Sequence, residues 1–437
     1  MEEEKMDVRS GTQGFAAPIL PENGGNSYAE LTPKPPFAAS RREMALAFFM
    51  YLPAYLYLQG EGWCFPVFCA LFCAMAEWFY RGTPCAGESR FWLVCLAVTA
   101  LAATFGENRI WGGYTPLFTH AFAVYYVLCR SGRLLEGESG HFLPLDALFG
   151  LVIFPFKHFF LRLRAAGFAL THRKTGEKTH PAAWAAMAIG ALLALGLLAL
   201  AVQNLSGADA AFDELLQKTL GRLRLRVDQS TLCSALLSLP VGAYLFGLIA
   251  GTGREEIKTV RARGERVNAA LSSLRKVPVV VWTAALCVFA ALYLAFFGLQ
   301  AGYLFGAFVK MIPDGYTIAE YARQGFFSLC RVMAVNFALL WLVTRACVKP
   351  VRQEKPLLAL CAVLLCQSLV FAAIAASKLY FYISSYGFTP RRLQSAWLIV
   401  VLAAGTGCAL YSLVTGKKSV RYWILFSAAT LMLLSLY

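Results

Sequence analysis

About eleven apolar runs, separated by short polar loops, constrain this chain more than any other feature of its sequence. A helix that crosses a bilayer needs about 20 predominantly apolar residues. On that basis we predict spans near residues 44–58, 63–80, 91–105, 113–129, 183–202, 230–252, 277–298, 326–344, 357–376, 395–414 and 420–436. Hydrophobic residues make up 58% of the chain and charged residues 15%, whereas soluble proteins have about 45–50% and about 25%. The sequence therefore predicts an all-α polytopic membrane bundle of about 11 transmembrane helices.

Lys and Arg are concentrated in alternate loops, and this indicates how the helices are oriented. Loops that face the cytoplasm carry an excess of Lys and Arg. The N-terminus is therefore predicted to be cytoplasmic, together with loops 81–90, 130–181, 254–276, 345–355 and 417–421. The predicted outside loop 203–229 departs mildly from the rule, because acidic residues offset its three arginines. Orientation and contacts with anionic lipid headgroups account for the net charge of +15 without nucleic acid.

Residues 142–168 are apolar but would break this alternation if they crossed the membrane. On a helical wheel, one face is apolar and is formed by Phe149, Val152, Phe156, Phe159, Phe160 and Leu163. The remaining surface is polar and carries Asp146, Lys157, His158, Arg162 and Arg164. A helix with these two faces lies in the plane of the interface, with its basic side toward the headgroups. We therefore predict one interfacial amphipathic helix here, with a re-entrant segment as the alternative.

These features divide the chain into four parts. Residues 1–43 are polar and contain Gly and Pro, as is typical of a flexible cytoplasmic tail. Residues 44–130 form an N-terminal four-helix membrane group, and residues 131–182 form the interfacial helix and a basic cytoplasmic loop. Residues 183–437 form a C-terminal seven-helix membrane domain.

The sequence implies no cofactor and no metal. Most of the 13 cysteines lie inside apolar runs, where cysteine packs as a small hydrophobe. The chain has no C-x-x-C pair, which argues against a structural zinc site and against thioredoxin-like chemistry. It also has no phosphate-binding loop, no H-E-x-x-H and no Asp-rich cluster.

Ionisable residues are scarce within the predicted spans, where we find almost none beyond Glu77 and His120. Glu77 and Arg81 are four residues apart, a spacing that predicts a local ion pair. A lone intramembrane histidine is more often packed and hydrogen-bonded than catalytic, and we interpret His120 in this way. Because transporters carry charges along their path, this scarcity argues against a transporter in the strict sense.

A first polar interruption precedes the span near 326–344. Thr317-Ile-Ala-Glu320 has the pattern of a capping box, so Glu320 is interpreted either as a helix cap or as a functional carboxylate. Glu320, Arg323 and Gln324 are three and four residues apart and share one helical face. An ionisable pair at membrane depth is costly unless it is paired or faces a cavity. These three residues are therefore candidates for binding a ligand.

A second polar interruption follows the span near 357–376. Lys378, Tyr382 and Tyr386 are spaced by four residues and form a ridge on the extension of that span. Gly387 is suited to end the helix. We include the three ridge residues among the candidate ligand-binding residues.

The next helix is predicted to begin with Thr389 as its N-cap and Pro390 in its first turn. Arg391 and Arg392 then lie at a helix start, where the macrodipole disfavours cations. This placement calls for a nearby anion, which could be Glu320, a lipid phosphate or a bound ligand. The alternative interpretation is an aromatic belt with arginines that reach toward the headgroups. Both arginines are candidate ligand-binding residues. The predicted orientation of the spans places both polar interruptions on the extracytoplasmic side.

These two motifs resemble those of bacterial multi-pass membrane proteins of the domain of unknown function 4153 and 4173 families. The motifs are Glu320-Tyr-Ala-Arg-Gln-Gly-Phe-Phe and Tyr380-Phe-Tyr-Ile-Ser-Ser-Tyr-Gly-Phe-Thr-Pro-Arg-Arg, with Trp397 following. Phe388 replaces the leucine that is usual in these families. The resemblance covers residues 300–400 well and the remainder only by span count. It implies a protein of the bacterial cytoplasmic membrane, and it supplies no catalytic residues.

The sequence favours a non-enzymatic membrane protein that binds an anionic ligand or lipid headgroup at its extracytoplasmic face. Such a protein would serve in envelope transport, sensing or assembly, with membrane lipids as partners and no nucleic acid. The motivation is an excess of Arg, Lys and Tyr around one carboxylate, without a nucleophile–base pair. The alternative is a membrane-embedded transferase that acts on a lipid-linked or phosphorylated envelope substrate. Glu320 would then be the general base, and Arg391 and Arg392 would hold phosphate.

Overall fold

The computed structural model describes residues 37–60, 62–105, 111–171, 229–300, 315 and 317–436. The N-terminal half contains α1 (Arg41–Phe49), α2 (Tyr51–Gln59), α3 (Cys64–Phe79), α4 (Ser89–Phe105), α5 (Thr115–Ser131), α6 (Leu143–Leu148), α7 (Phe154–Lys157) and α8 (Leu161–Thr171). The C-terminal half contains α9 (Gln229–Phe246), α10 (Thr252–Arg254), α11 (Ile257–Ser272), α12 (Val279–Leu299), α13 (Ile318–Ala346), α14 (Lys355–Tyr386), α15 (Pro390–Thr415) and α16 (Val420–Ser435). The described residues contain no strand, so the prediction of an all-α chain is confirmed for them.

Five helical stretches are long and apolar enough to cross a membrane: Cys233–Arg254, Val279–Leu299, Ala319–Ala346, Lys355–Tyr386 and Pro390–Thr415. The count is six if a bent pair, Leu143–Lys157 with Leu161–Leu170, forms one span. The apolar helices α3, α4 and α16 are shorter. The predicted count of about 11 spans is therefore not confirmed. The predicted span 183–202, the predicted loop 203–229 up to residue 228, and most of the tail lie outside the described residues.

The loops predicted to be cytoplasmic meet at one end of the helices. Arg254 forms an ion pair with Glu43 at 2.5 Å, which joins the end of α10 to the first turn of α1. Arg421 forms ion pairs with Glu88 and with Glu138, the latter at 2.7 Å. These ion pairs join loops that are distant in sequence. The positions of Lys and Arg predict that the same loops lie on one side of the membrane.

Glu77 lies at this end, and its partner is not the one predicted. Its carboxylate accepts a hydrogen bond from Arg130 at 2.9 Å and another from the Tyr126 hydroxyl at 2.7 Å. Arg130 also donates to the carbonyl of Tyr80 at 3.0 Å. The predicted pair of Glu77 with Arg81 is therefore wrong. Four-residue spacing predicts only contacts within one helix, whereas the partner of Glu77 is Arg130 of another helix, α5.

Glu255 is a second carboxylate surrounded by cations at the same end. It forms ion pairs with Lys157 and with Arg263, the latter at 3.3 Å, and a hydrogen bond of 3.0 Å joins it to Nε2 of His158. Burial alone would raise the pKa of Glu255, but hydrogen bonds from Lys157 and His158 outweigh that effect. The pKa of this carboxyl is therefore held below its usual range, and the charged form ties α7 to α11.

The segment predicted to be interfacial is bent rather than straight. α6 continues through the π-helical residues Phe149–Ile153 into α7, and a bend of 41° separates Leu143–Lys157 from Leu161–Leu170. Leu151 accepts a hydrogen bond from the Tyr244 hydroxyl at 3.0 Å, so the segment crosses α9. A bend of this kind occurs in a broken span or a re-entrant loop, and the in-plane helix stays a prediction.

Two residues of its predicted polar face are buried instead of facing headgroups. Asp146 is 2% exposed and accepts a hydrogen bond from the backbone N–H of Leu135 at 2.9 Å. Arg162 is 8% exposed and donates to the carbonyls of Ala47 and Leu239. The prediction that both side chains point toward headgroups is wrong, because neighbouring elements enclose them. Asp146 is held through Oδ1 alone, and its Oδ2 has no hydrogen-bond partner among the described residues. Phe156 and Phe160 are exposed on the outside.

The helices α12, α13 and α14 pack around an apolar core that contains a short polar chain. The Tyr293 hydroxyl donates to Asn336 at 2.7 Å, and the Asn336 amide donates to Ser368 at 2.8 Å. All three side chains are buried. Buried polar groups need such partners, so this chain fixes the rotation of α13 against α14. That rotation determines which α13 residues meet the second polar interruption.

Candidate functional site

The first turn of α13 is closed by a capping box. The Thr317 hydroxyl accepts a hydrogen bond from the backbone N–H of Glu320 at 3.3 Å. The Glu320 carboxylate accepts one from the backbone N–H of Thr317 at 3.2 Å and one from its hydroxyl at 2.8 Å. The capping interpretation of Glu320 is therefore confirmed. Its carboxylate is exposed, and one of its oxygens is engaged by Thr317.

The two interruptions meet through Lys378. This side chain has 0% exposure, and its Nζ lies 4.0 Å from the centre of the Tyr321 ring, in a cation–π contact. Gly325 makes room for it, because a Cβ at that position would lie 2.7 Å from Nζ. Tyr321 and Gly325 are one turn apart on α13. They form a notch that holds the Lys378 ammonium within the protein.

The end of α14 follows the sequence prediction. Gly387 ends the helix with φ 78°, a left-handed conformation that glycine adopts readily. Pro390 begins α15, and Thr389 occupies the N-cap position, although its side chain makes no capping hydrogen bond. These local signals place Arg391 and Arg392 in the first turn of α15, as predicted.

Arg392 folds back over the end of α14. Its guanidinium lies 4.0 Å from the ring centre of Tyr382 and 5.8 Å from that of Tyr386. It also donates to the carbonyl of Gly387. The two tyrosine rings pack edge to face, with centres 5.3 Å apart. Rings and a carbonyl stabilise this cation without neutralising it, so the corner keeps its positive charge.

Lys378, Tyr382 and Tyr386 follow one another at one-turn spacing, so the ridge predicted on α14 is present. We name these residues, together with Tyr321, Gly325, Arg391 and Arg392, the α13–α15 corner. Arg391 is exposed. The side chains of Arg323 and Gln324 lie outside the described part of the structure. The ion pairs of the described residues do not include one between Glu320 and Arg391 or between Glu320 and Arg392.

Sequence reasoning missed a charged residue within α13. Arg331 is exposed and lies midway along the candidate span Ala319–Ala346. The statement that the spans carry almost no charge beyond Glu77 and His120 is therefore wrong, although Arg331 was visible within the predicted span 326–344. His120 is packed as expected, with Nε2 2.9 Å from the Tyr244 hydroxyl.

A cleft of about 480 Å³ opens at the opposite end, between the loop after α5 and helix α11. Its charged lining is mixed, since Glu136, Glu138 and Glu265 face Arg261 and Lys418. Such a lining selects neither anions nor cations. Among the described residues, no group of His, Cys, Asp and Glu could hold a metal ion.

The chain was compared with protein families, with curated proteins and with solved structures. No curated protein and no solved structure matches it. A family model described as "Domain of unknown function (DUF4153)" matches residues 54–437. This match extends the resemblance far beyond residues 300–400 and includes both halves of the fold. The chain belongs to the DUF4153 family.

Proposed function

We propose that this protein binds the anionic headgroup of a membrane lipid at the α13–α15 corner. The observation that carries the proposal is the pair of arginines in the first turn of α15. Arg392 is held against rings and a carbonyl rather than against a carboxylate, and Arg391 is exposed beside it. Phosphate oxygens are strong hydrogen-bond acceptors for guanidinium groups, and a helix start favours anions.

The surroundings of the corner favour a lipid over a free anion. Tyr380, Tyr386 and Phe388 are 69%, 52% and 59% exposed. Aromatic side chains with this exposure are typical of the level of the headgroups. A lipid could therefore place its phosphate at Arg391 while its glycerol and chains contact these rings.

The transferase alternative requires Glu320 to act as a general base. The capping box engages this carboxylate with the backbone and hydroxyl of Thr317, which supports a structural role. Binding without turnover is therefore our proposal, in envelope transport, sensing or assembly.

We further propose a multi-pass protein of the bacterial cytoplasmic membrane with a cytoplasmic N-terminus. The meeting of the basic loops at one end supports this orientation, since alternation predicts it. The division into a tail, a four-helix group, a basic linking region and a C-terminal domain belongs to the same proposal. In this topology the α13–α15 corner faces outward, and the basic loops contact anionic headgroups on the cytoplasmic side.

Replacing both Arg391 and Arg392 by Ala is expected to weaken binding of phosphatidylglycerol about tenfold or more, because charge-assisted hydrogen bonds to phosphate are lost. Native mass spectrometry of the purified protein, titrated with phosphatidylglycerol or phosphatidylcholine, measures this affinity. The matched control replaces the exposed Arg275 and Lys276 by Ala and removes the same charge at the opposite end.

Equal loss in the two double variants would mean non-specific attraction and would refute the site. Competition by glycerol phosphate at the same concentration as the lipid would assign the site to a free anion instead. Turnover of an envelope lipid by the wild-type protein that is lost in Glu320→Gln, with folding intact, would favour the transferase.

A further inference from the structure

Arg331 is a charged side chain on the outer surface of a candidate membrane span. Helix α13 runs from Ile318 to Ala346. At a rise of about 1.5 Å per residue, Arg331 lies about 20 Å from either end of this helix. The hydrocarbon core of a bilayer is about 30 Å thick, so a span centred on the bilayer would place the Cα of Arg331 near the middle of that core.

The fold turns Arg331 away from the protein. The face of α13 that packs on α14 consists of Tyr321, Gly325, Leu329 and Asn336, all buried. Arg331 lies on the other side, where Phe327 and Val335 are 57% and 51% exposed. Its described contact is a long hydrogen bond of 3.4 Å to the Ser328 hydroxyl. No carboxylate of the described residues forms an ion pair with it.

A charge at this depth is costly, and membranes reduce the cost by local thinning and by admitting water and headgroups. The sequence of α13 shows from which side they would enter. Glu320, Ser328 and Arg331 are all exposed. Spacings of eight and three residues place them on one side of the helix. We name these three residues the polar stripe, which runs from the corner end of α13 to its middle and is interrupted by the exposed Phe327 between Glu320 and Ser328.

Beyond Arg331 the same side is apolar as far as Arg345 in the last turn of α13. Val335 and Leu342 continue the same side of α13 and are 51% and 43% exposed. A polar stripe that reaches the middle from one end only is suited to a headgroup that enters from that end. The alternative is a partner helix that supplies one carboxylate at the depth of Arg331. Such a helix would not explain the polar residues Glu320 and Ser328 nearer the corner.

We propose that Arg331 is a second anion site, which holds a lipid phosphate at mid-depth after it moves inward along the polar stripe. The ligand is a phosphodiester headgroup, and its entry begins near the α13–α15 corner. This inference rests on the proposed function, because the corner would supply the anionic lipid. It extends that function from holding a headgroup to drawing it into the bilayer.

The test uses the full-length protein, in detergent for the lipid titration and in phosphatidylglycerol vesicles for the labelling. Arg331→Leu is expected to lower the affinity for one phosphatidylglycerol molecule about tenfold in native mass spectrometry, and Arg331→Lys is expected to retain most of it. Ser328→Cys reports water on the stripe through a membrane-impermeant maleimide, read by site-resolved mass spectrometry. Cys330 lies on another side of α13 and serves as the internal comparison. We expect the maleimide to label position 328 in the Ser328→Cys variant that retains Arg331. Labelling is expected to fall several-fold when Arg331→Leu is added.

The inference would be overturned if Arg331→Leu kept the wild-type lipid affinity and left the labelling unchanged. The counter-charge of Arg331 would then be assigned to a partner helix. Equal binding of glycerol phosphate would overturn the assignment to a lipid. Circular dichroism and size-exclusion elution confirm that each variant is folded. If the Arg391 and Arg392 double variant loses lipid while Arg331→Leu does not, only the inference on Arg331 fails.

Discussion

Replacing Arg130 by Met is expected to lower the free energy of unfolding by about 2–3 kcal/mol. The guanidinium donates to Glu77 at 2.9 Å and to the carbonyl of Tyr80 at 3.0 Å, and its removal leaves both acceptors without this donor. Breaking a buried pair costs about 3–5 kcal/mol. The Glu77 side chain is 46% exposed, and solvent reduces the cost. Thermal unfolding in a fixed detergent, followed by circular dichroism, measures the change.

The matched control is Arg81→Met, at the position that helical spacing alone would pair with Glu77. Arg81 is exposed, and a surface substitution of this kind changes stability by about 0.5 kcal/mol or less. If Arg81→Met destabilised the protein as much as Arg130→Met, the contact between α3 and α5 would not be the one that stabilises Glu77.

Replacing Gly247 by Ala is expected to destabilise the protein by about 2 kcal/mol, because overpacking a close contact costs about 1–3 kcal/mol. A Cβ at this position would lie 2.5 Å from the carbonyl oxygen of Pro155 and 3.1 Å from its Cα. These are backbone atoms of α7, so no side-chain rotation relieves the clash. The bent segment would have to move away from the π-helical turn Gly247–Gly251 that follows α9, and the same thermal unfolding experiment reports this.

Gly407 provides the control for this substitution. It lies within α15, and a Cβ there would have nothing within 4 Å. Gly407→Ala is expected to stabilise the protein by about 0.5–1 kcal/mol through helix propensity. Equal melting temperatures for the Gly247 and Gly407 variants would contradict the close approach of α7 to the π-helical turn that follows α9.

The ends of helices were predictable from the sequence because their causes are local. Thr317 and Glu320 close a capping box three residues apart. Gly387 ends α14 and Pro390 begins α15 through backbone preferences of single residues. The ridge of Lys378 and Tyr382 follows from helical spacing alone. These signals place the candidate residues at the corner but do not show which side chains meet there.

Contacts between distant segments were not predictable in the same way. The pairing of Glu77 with Arg130 depends on how α3 and α5 each pack on α4, and the notch for Lys378 depends on the rotation of α13. The burial of Asp146 and Arg162 depends on neighbouring elements that supply backbone partners. A helical wheel assumes a straight helix, whereas this segment is bent by 41°.

The α13–α15 corner is proposed to hold an anionic lipid headgroup. The most direct measurement is photo-crosslinking of the reconstituted protein with a phosphatidylglycerol analogue that carries its photoreactive group on the headgroup. We expect cross-links within residues 378–392 that disappear when Arg391 and Arg392 are both replaced by Ala. Cross-links confined to the basic loops at the other end, and equal in the two proteins, would contradict it.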